Sequence, residues 1–276
     1  MTNPQNKNDY LLGTHDDELQ RLAFQHRVWS APAADLWRRA GFRCGATILD
    51  LGCGPGFTTL DLARLVGPEG RIVAVDGSRR FLEHLTAMLE RDNIRNVEVV
   101  HTDVHDLNLE KESIDGAYAR WLFCFLQKPE TVVEHVGRAL RPGAALAVTD
   151  YFNYRAFTFA PRHEALDRVI AAVQKCWRLR GGDLEIQGRM ASIMRDAGLD
   201  VAEVSQICRV AAPGSPEWNW PRTFFKTFIT TLEEAGLTTP EDRREFEGAW
   251  SERGADPTSR LFLPPQIDVV GIRPNR

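Results

Sequence analysis

The sequence predicts an α/β fold, in which a mostly parallel β-sheet carries helices on both of its faces. Apolar, β-branched runs alternate with segments of helical period from about residue 43 onward, as in parallel strands joined by crossover helices. The run at 72–75, Ile-Val-Ala-Val, is apolar at successive positions, which is typical of a strand buried on both faces. A chain of 276 residues is long enough for one such domain with additional elements.

The first segment, residues 1–42, is predicted to be helical after a disordered start. Three acidic residues at 16–18 precede an amphipathic stretch, and acidic side chains in a first helical turn are stabilised by the helix dipole. We expect one helix over about 16–29 and a second over 33–40.

The alternation itself occupies residues 43–150. The predicted strands are 47–51, 71–75, 97–100, 114–119 and 145–148, and the predicted helices are 58–65, 79–90 and 131–140. This segment is expected to form the central domain.

The pattern changes over residues 151–276. We expect helices at 161–178, 187–197 and 240–252, an aromatic segment at 217–228, and strands at 201–210 and 266–272. Two parts of this segment, about 155–180 and 214–255, are predicted to form a helical insertion that caps the sheet.

Composition excludes several classes of protein. The net charge is −4 and the basic residues are scattered, which argues against a nucleic-acid partner. The sequence contains no apolar run long enough for a membrane span and no signal-peptide pattern. Five cysteines without Cys-x-x-Cys spacing indicate a reducing compartment and no structural metal. We therefore expect a cytoplasmic protein.

The glycine-rich turn at 48–56, Ile-Leu-Asp-Leu-Gly-Cys-Gly-Pro-Gly, is the first candidate for a binding site. It follows the first predicted strand, where open parallel sheets bind their ligands, and glycine permits close approach of the backbone. The dinucleotide fingerprint G-x-G-x-x-G would require glycine where Phe57 stands, which weakens a nicotinamide-dependent oxidoreductase as the alternative function. No Gly-Lys-Ser/Thr sequence follows, so a P-loop is excluded.

Carboxylates end the first three predicted strands. Asp76 can accept hydrogen bonds from both hydroxyls of a ribose, which fits either NAD or an adenosyl nucleoside. Asp103 can accept from an adenine amino group, and Val104 offers an apolar edge and a backbone N–H. Asp50 either attracts an ammonium group or anchors the turn.

As a set, these motifs resemble those of class I S-adenosylmethionine-dependent methyltransferases over about residues 45–150. The likeness is carried by 50–56, 76–78, 103–104, 114–115 and 140–143, with Ala144 as a departure where the family commonly has glycine. The resemblance implies a Rossmann-like, seven-stranded sheet whose last strand, 266–272, is antiparallel. It also implies S-adenosyl-L-methionine as cofactor, S-adenosyl-L-homocysteine as product, and cofactor contacts from Asp50, Gly52, Cys53, Gly54, Gly56, Asp76, Gly77, Asp103 and Val104.

The N-terminal residues 10–13, 21–22 and 25–27 resemble the lead-in of a small-molecule methyltransferase subgroup, where this segment folds over the cofactor. Residues 1–42 are then a lid, and Tyr10 and Gln25 help to close the site. The resemblance also places Arg120 and Trp121 beside the methionine half of the cofactor and the substrate, although Trp121 could equally belong to the core.

The methyl acceptor is predicted to be a small, partly apolar metabolite, methylated on oxygen, nitrogen or carbon. The (D/N)PP(Y/F) loop of nucleic-acid and glutamine N-methyltransferases is replaced by Ala119-Arg120-Trp121-Leu122. Asp150 and Tyr151 are candidates for a general base or a substrate contact, with capping of the next segment as the alternative for Asp150. A non-catalytic S-adenosylmethionine-binding protein and an NAD(P)-dependent oxidoreductase remain alternatives, and the protein is expected to be a monomer or a homodimer.

Overall fold

The fold is described over residues 16–275 of a computed structural model. Its strands are β1 (Thr47–Leu51), β2 (Arg71–Asp76), β3 (Val97–His101), β4 (Ile114–Arg120), β5 (Leu140–Tyr151), β6 (Thr158–Ala160), β7 (Asp200–Ile207), β8 (Val210–Ala211), β9 (Arg260–Phe262) and β10 (Gln266–Ile272). Its helices are α1 (Asp16–Arg39), α2 (Phe57–Val66), α3 (Arg79–Arg91), α4 (Pro129–Ala139), α5 (Glu164–Leu179), α6 (Gln187–Asp196), α7 (Pro216–Glu234) and α8 (Pro240–Ala255).

Seven strands form the main sheet, in the order β3-β2-β1-β4-β5-β10-β7. β10 is antiparallel to both of its neighbours, and the pairings from β3 to β5 are parallel. The predicted mostly parallel, seven-stranded α/β sheet is therefore confirmed, including the antiparallel strand at 266–272.

Both faces of the sheet are buried, as the continuous apolar runs predict. Leu49 and Val73 lie in one hydrophobic cluster, whereas Ile48 and Ile72 lie in another. Successive side chains of a strand point to opposite faces, so these two clusters occupy the two sides of the sheet.

The N-terminal segment forms a single helix rather than the two that were predicted. Pro32 lies inside α1 and cannot donate a hydrogen bond to the carbonyl of Val28. That carbonyl instead accepts a hydrogen bond from Nη1 of Arg209, at 2.9 Å. A side chain from a distant part of the chain therefore provides the donor that Pro32 lacks.

A cap covers the carboxyl end of the main sheet. It contains α5, α7, α8 and a small antiparallel sheet in the order β6-β9-β8. The predicted strand at 201–210 ends at Ile207 as β7, and residues 210–211 belong to the small sheet instead. The aromatic segment at 217–228 lies within α7, in which Trp218, Trp220 and Phe225 are buried.

Among the helices that the structure describes, none combines the length and apolar character needed to cross a bilayer.

Candidate functional site

The site lies where the strand order of the main sheet reverses. β1 pairs with β2 on one side and with β4 on the other, so the crossovers leave a crevice at the carboxyl ends of β1 and β4. A cavity of about 1140 Å³ opens there and continues under the cap. The predicted site residues that line it are Gln25, Asp50, Gly52, Cys53, Gly54, Asp76, Gly77, Asp103, Val104, Arg120, Trp121 and Tyr151.

Three predicted site residues stand apart from this set. Tyr10 lies outside the described residues. Gly56 and Asp150 do not line the cavity, and the structure gives each of them a different environment.

The glycine turn combines close approach to the cavity with close packing behind it. Gly54 has a φ of +56°, and a Cβ on it would meet no atom within 4 Å. Gly56 has a φ of +90°, and its Cβ would lie only 2.3 Å from Cδ1 of Leu85 in α3. Gly54 thus borders open space, whereas Gly56 allows the turn to pack against α3.

Asp76 joins the ends of β1 and β2. Its Oδ2 accepts a hydrogen bond from the backbone N–H of Gly54 at 2.8 Å, and its Oδ1 accepts one from the N–H of Ser78 at 2.7 Å. Burial raises the pKa of this carboxyl, and the two N–H groups counteract that shift. Each carboxylate oxygen still has a lone pair that can accept from a ligand hydroxyl.

Asp103 and Val104 lie at the next strand end. Oδ1 of Asp103 accepts from the backbone N–H of His105 at 2.9 Å and lies 2.7 Å from Nδ1 of the same residue. Partial burial acts to raise the pKa of Asp103, but these contacts with His105 bring it below its ordinary value. Asp103 therefore remains an ionised acceptor at neutral pH.

Asp50 is buried at the base of the turn. Its Oδ2 accepts a hydrogen bond from the hydroxyl of Thr59 at 2.7 Å. Burial raises its pKa to about 7, against the lowering effects of Thr59 and Arg120. Anchoring of the turn and attraction of a cation are both compatible with this geometry.

Arg120 connects the end of β4 to α1 and α2. Its guanidinium donates to the hydroxyl of Thr58 at 2.9 Å and to the carbonyl of Trp29 at 3.3 Å. The same group lies over the ring of Trp121, 5.0 Å from its centroid. Arg120 therefore holds the end of β4 against α1 and α2 at the wall of the cavity.

Gln25 connects α1 to the cap. Its Oε1 accepts from Nη1 of Arg21 at 3.0 Å and from Nε1 of Trp220 in α7 at 2.9 Å. Arg21 is buried and makes two 2.7 Å hydrogen bonds to Glu18. Through these contacts, α1 covers one side of the cavity.

Trp121 lies between the rings of two other cavity residues. Its ring is nearly parallel to that of Tyr151, at an interplanar angle of 18°, and to that of Trp220, at 19°. The backbone φ of Trp121 is +53°, in the left-handed region that bulky residues rarely adopt.

Asp150 holds the backbone around the end of β5. It is fully buried, and its carboxylate accepts from the N–H of Tyr151 at 2.9 Å and from the N–H of Cys124 at 3.0 Å. Burial raises its pKa to about 7. Asp150 does not line the cavity, and its carboxylate binds the backbone N–H groups of Tyr151 and Cys124 instead.

Sequence reasoning missed several residues that line the cavity. They share no motif, because they come from helices and from connections outside the strand ends; they include Thr58, Tyr154, Phe157 and Trp177. The only available signals were the position of Thr58 directly after the glycine turn and the spacing of three between Tyr151 and Tyr154.

The residues present fit an adenosyl cofactor with a charged amino-acid tail. The open space next to Gly54 accommodates a group against the backbone, and Asp76 and Asp103 provide acceptors at successive strand ends. Among residues 16–275, no group of three or more His, Cys, Asp or Glu side chains is arranged to hold a metal ion.

Comparisons with known proteins agree with this geometry. A family model described as "Methyltransferase domain" matches residues 48–143. An uncharacterized 37.1 kDa protein in transposon TN4556 of Streptomyces fradiae is 38% identical over 106 residues, which cover 38% of this chain and 30% of that protein. Demethylmenaquinone methyltransferase of Lactococcus lactis is 34% identical over 119 residues, which cover 43% of this chain and 46% of the enzyme. The chain thus spans less than half the length of these curated relatives.

A solved structure of a candidate methyltransferase from Bacillus halodurans C-125 superposes with a TM-score of 0.61. It is 17% identical and covers 88% of this chain and 98% of its own, so the likeness concerns the fold alone. The matched domain model and this fold together show that residues 48–143 form a methyltransferase domain.

Proposed function

We propose that the whole chain is an S-adenosylmethionine-dependent methyltransferase that acts on a small, partly apolar acceptor. One observation carries the proposal: a single cavity extends from the strand-end carboxylates to the aromatic residues of the cap. A cofactor and an acceptor can therefore lie in the same cavity.

Different residues at the strand ends would contact different parts of the cofactor. Asp76 would accept from the ribose hydroxyls, and Asp103 and Val104 would contact the adenine. The backbone at Gly52 and Gly54, together with Asp50, would border the methionine half. Tyr10 and Gln25 belong to the lid segment in this proposal.

S-adenosylmethionine, when bound, supplies a methyl group already activated on a sulfonium. The protein then has to hold the acceptor in line with that group and exclude water, and alignment of this kind can contribute ~7–11 kcal/mol. Arg120 and Trp121 both line the cavity at the end of β4, and their mutual contact suits this positioning role.

A small-molecule acceptor is supported by the aromatic walls and by the relatives named demethylmenaquinone methyltransferase. The ring of Trp121 stacks with those of Tyr151 and Trp220, and these three rings line the cavity.

Calorimetry and a methylation screen test the proposal. We expect S-adenosylmethionine and S-adenosylhomocysteine to bind and NAD not to bind. A panel of metabolites with labelled cofactor should then reveal the acceptor. Binding of NAD alone would contradict the proposal, and cofactor binding without transfer to any compound of a broad panel would favour the non-catalytic alternative.

Replacing Asp76 tests the cofactor half of the site. Asp76→Asn should weaken S-adenosylhomocysteine binding roughly tenfold to a hundredfold, because hydrogen bonds to a charged acceptor contribute ~1.5–3 kcal/mol each. Asp92→Asn is the matched control, since Asp92 is paired with Arg91 on the exposed end of α3. Equal affinities of the Asp76 variant and the control would remove Asp76 from the ribose role, provided that circular dichroism shows both to be folded.

A further inference from the structure

The part of the cavity under the cap contains no charged side chain among the described residues after position 150. The lining residues contributed there are aromatic, leucine or proline: Tyr151, Tyr154, Phe157, Trp177, Leu184, Trp220, Pro221, Phe224 and Pro264. The charged lining residues come from α1 and from residues 50–128. An acceptor bound under the cap would therefore meet an uncharged surface there.

Two tyrosine hydroxyls are the free polar groups of this surface. Within residues 16–275, neither the hydroxyl of Tyr151 nor that of Tyr154 forms a hydrogen bond with the protein. Neither oxygen is among the buried, unpartnered atoms, so both remain accessible from the cavity. By contrast, Nε1 of Trp220 is engaged with Gln25, and Nε1 of Trp177 is fully buried.

The two rings lie close together and belong to one short segment. Their centroids are 5.1 Å apart in an edge-to-face arrangement, with Tyr151 at the end of β5 and Tyr154 in the turn after it. The side chain of Tyr154 is buried, and Tyr151 stacks on Trp121. Packing therefore fixes the rings while their hydroxyls stay open to the cavity.

Both hydroxyls are protonated donors at neutral pH. Burial raises the pKa of Tyr151, and the neighbouring Tyr154, Cys124 and Asp150 add to this shift, against a lowering effect of Arg21. Burial likewise raises the pKa of Tyr154. Neither phenol can serve as a general base in its neutral form, but each can donate one hydrogen bond.

We propose that Tyr151 and Tyr154 form an oxygen-binding subsite, and that the acceptor is an uncharged, largely apolar molecule presenting a carbonyl or hydroxyl oxygen to them. This inference rests on the proposed function, because it describes the acceptor half of the same cavity. It assigns Tyr151 to positioning by hydrogen-bond donation rather than to proton abstraction.

A pair of probes tests the subsite without any methyl transfer. Equilibrium dialysis of the full chain, saturated with S-adenosylhomocysteine, would measure the binding of 2-naphthol and of naphthalene, which lacks the oxygen. Tyr151→Phe and Tyr154→Phe should each weaken 2-naphthol binding roughly two- to tenfold, the range of one neutral hydrogen bond, and leave naphthalene binding unchanged.

Phe224→Leu is the matched control for apolar contact. Phe224 lines the same part of the cavity and carries no polar group, so its replacement should weaken the binding of both probes alike. The proposal is overturned if the tyrosine variants leave 2-naphthol affinity unchanged, if they affect both probes equally, or if wild-type protein binds no 2-naphthol.

Measuring S-adenosylhomocysteine affinity on the same samples separates this inference from the proposed function. If the product binds while 2-naphthol shows no dependence on the hydroxyls, the subsite is wrong and the methyltransferase proposal stands. If wild-type protein fails to bind the product, the proposed function itself fails.

Discussion

The glycines of the turn after β1 serve two different purposes although they belong to one motif. Gly54 borders the cavity, and Gly56 makes room for Leu85. We predict that Gly54→Ala weakens S-adenosylhomocysteine binding at least tenfold, because the added methyl group would occupy the space beside the backbone. Gly56→Ala should mainly lower the free energy of unfolding, by ~2–4 kcal/mol from left-handed strain and overpacking combined.

Gly45→Ala provides the control for backbone strain. Gly45 also has a positive φ, of +78°, but a Cβ there would meet nothing within 4 Å, and the residue does not line the cavity. The difference in unfolding free energy between the Gly56 and Gly45 variants isolates the clash with Leu85. Equal losses of unfolding free energy in the two variants would show that α3 shifts to accommodate the added methyl group.

Asp150 links stability to pH. Its native pKa of about 7 exceeds the ordinary value of 3.8, so the native state binds more protons than the unfolded state between about pH 4 and pH 7. Stability therefore falls as the pH rises through this window. We predict that Asp150→Asn gains stability relative to wild type as the pH is raised from 4 to 7, measured by urea unfolding at each pH.

Asp242→Asn is the control, and its stability relative to wild type should not change between pH 5 and 8. Asp242 is half-buried and caps α8, and hydrogen bonds from Thr239 lower the pKa of its carboxyl. A residual slope is expected in the Asp150 variant because burial also raises the pKa of Asp50 to about 7. Parallel curves for wild type and Asp150→Asn would contradict the prediction.

The sequence was sufficient to identify the acidic residues at the strand ends, but not to decide which of two adjacent residues faces the cavity. Asp76 and Asp103 follow apolar runs, and both line the cavity. At the end of β5, however, successive side chains point to opposite faces, and the motif does not reveal the phase of that alternation. Tyr151 lines the cavity, whereas the carboxylate of Asp150 points into the interior and accepts a hydrogen bond from the N–H of Cys124. The packing around Cys124 determines this orientation, and the motif does not reveal it.

Among the elements, α1 shows how a tertiary contact can override a helix-breaking residue. Arg209 donates to the Val28 carbonyl and lies 4.6 Å from the centroid of Trp29. We predict that Arg209→Met lowers the free energy of unfolding by ~1–3 kcal/mol, the cost of an unsatisfied buried acceptor. Pro32→Ala should reduce that loss, because it restores a backbone donor within the helix.

A double-mutant cycle in chemical unfolding measures this coupling. Arg222→Met is the control, because Arg222 is exposed on α7 and its loss should change stability by less than about 0.5 kcal/mol. Strictly additive effects of the Arg209 and Pro32 substitutions would show that Arg209 acts through Trp29 or Glu217 instead.

The small sheet of the cap could not be predicted from sequence. Its strands, β6, β8 and β9, have only two or three residues each and come from distant parts of the chain. Segments this short carry no measurable periodicity. The longer elements of the central domain were recovered because each one repeats its pattern over several residues, whereas the cap depends on contacts that form only after folding.

At the scale of the whole molecule, the cap and the sheet share one hydrophobic cluster. Leu49 and Val73 of the sheet belong to the same cluster as Trp218, Phe225 and Trp250 of the cap. We predict a single cooperative unfolding transition, with coincident midpoints by tryptophan fluorescence, which reports largely on the cap, and by far-ultraviolet circular dichroism.

S-adenosylhomocysteine at a hundred times its dissociation constant should shift both midpoints together, by ~2.7 kcal/mol of unfolding free energy. The partition at residues 43–150 and 151–276 is then a description of sequence pattern and not of independent folding units. A fluorescence transition that precedes the loss of circular dichroism would instead show that the cap unfolds on its own.

The chain leaves the main sheet after Ile207 and returns at Gln266, and these two residues are paired partners in neighbouring strands. The segment between them, which includes α7, α8, β8 and β9, is therefore an insertion whose two ends lie side by side in the sheet. Such a segment can change in length or be exchanged for another at little entropic cost to the strands that hold it. Transplanting it between relatives would offer protein engineers a way to alter acceptor choice while the cofactor half of the molecule is inherited unchanged.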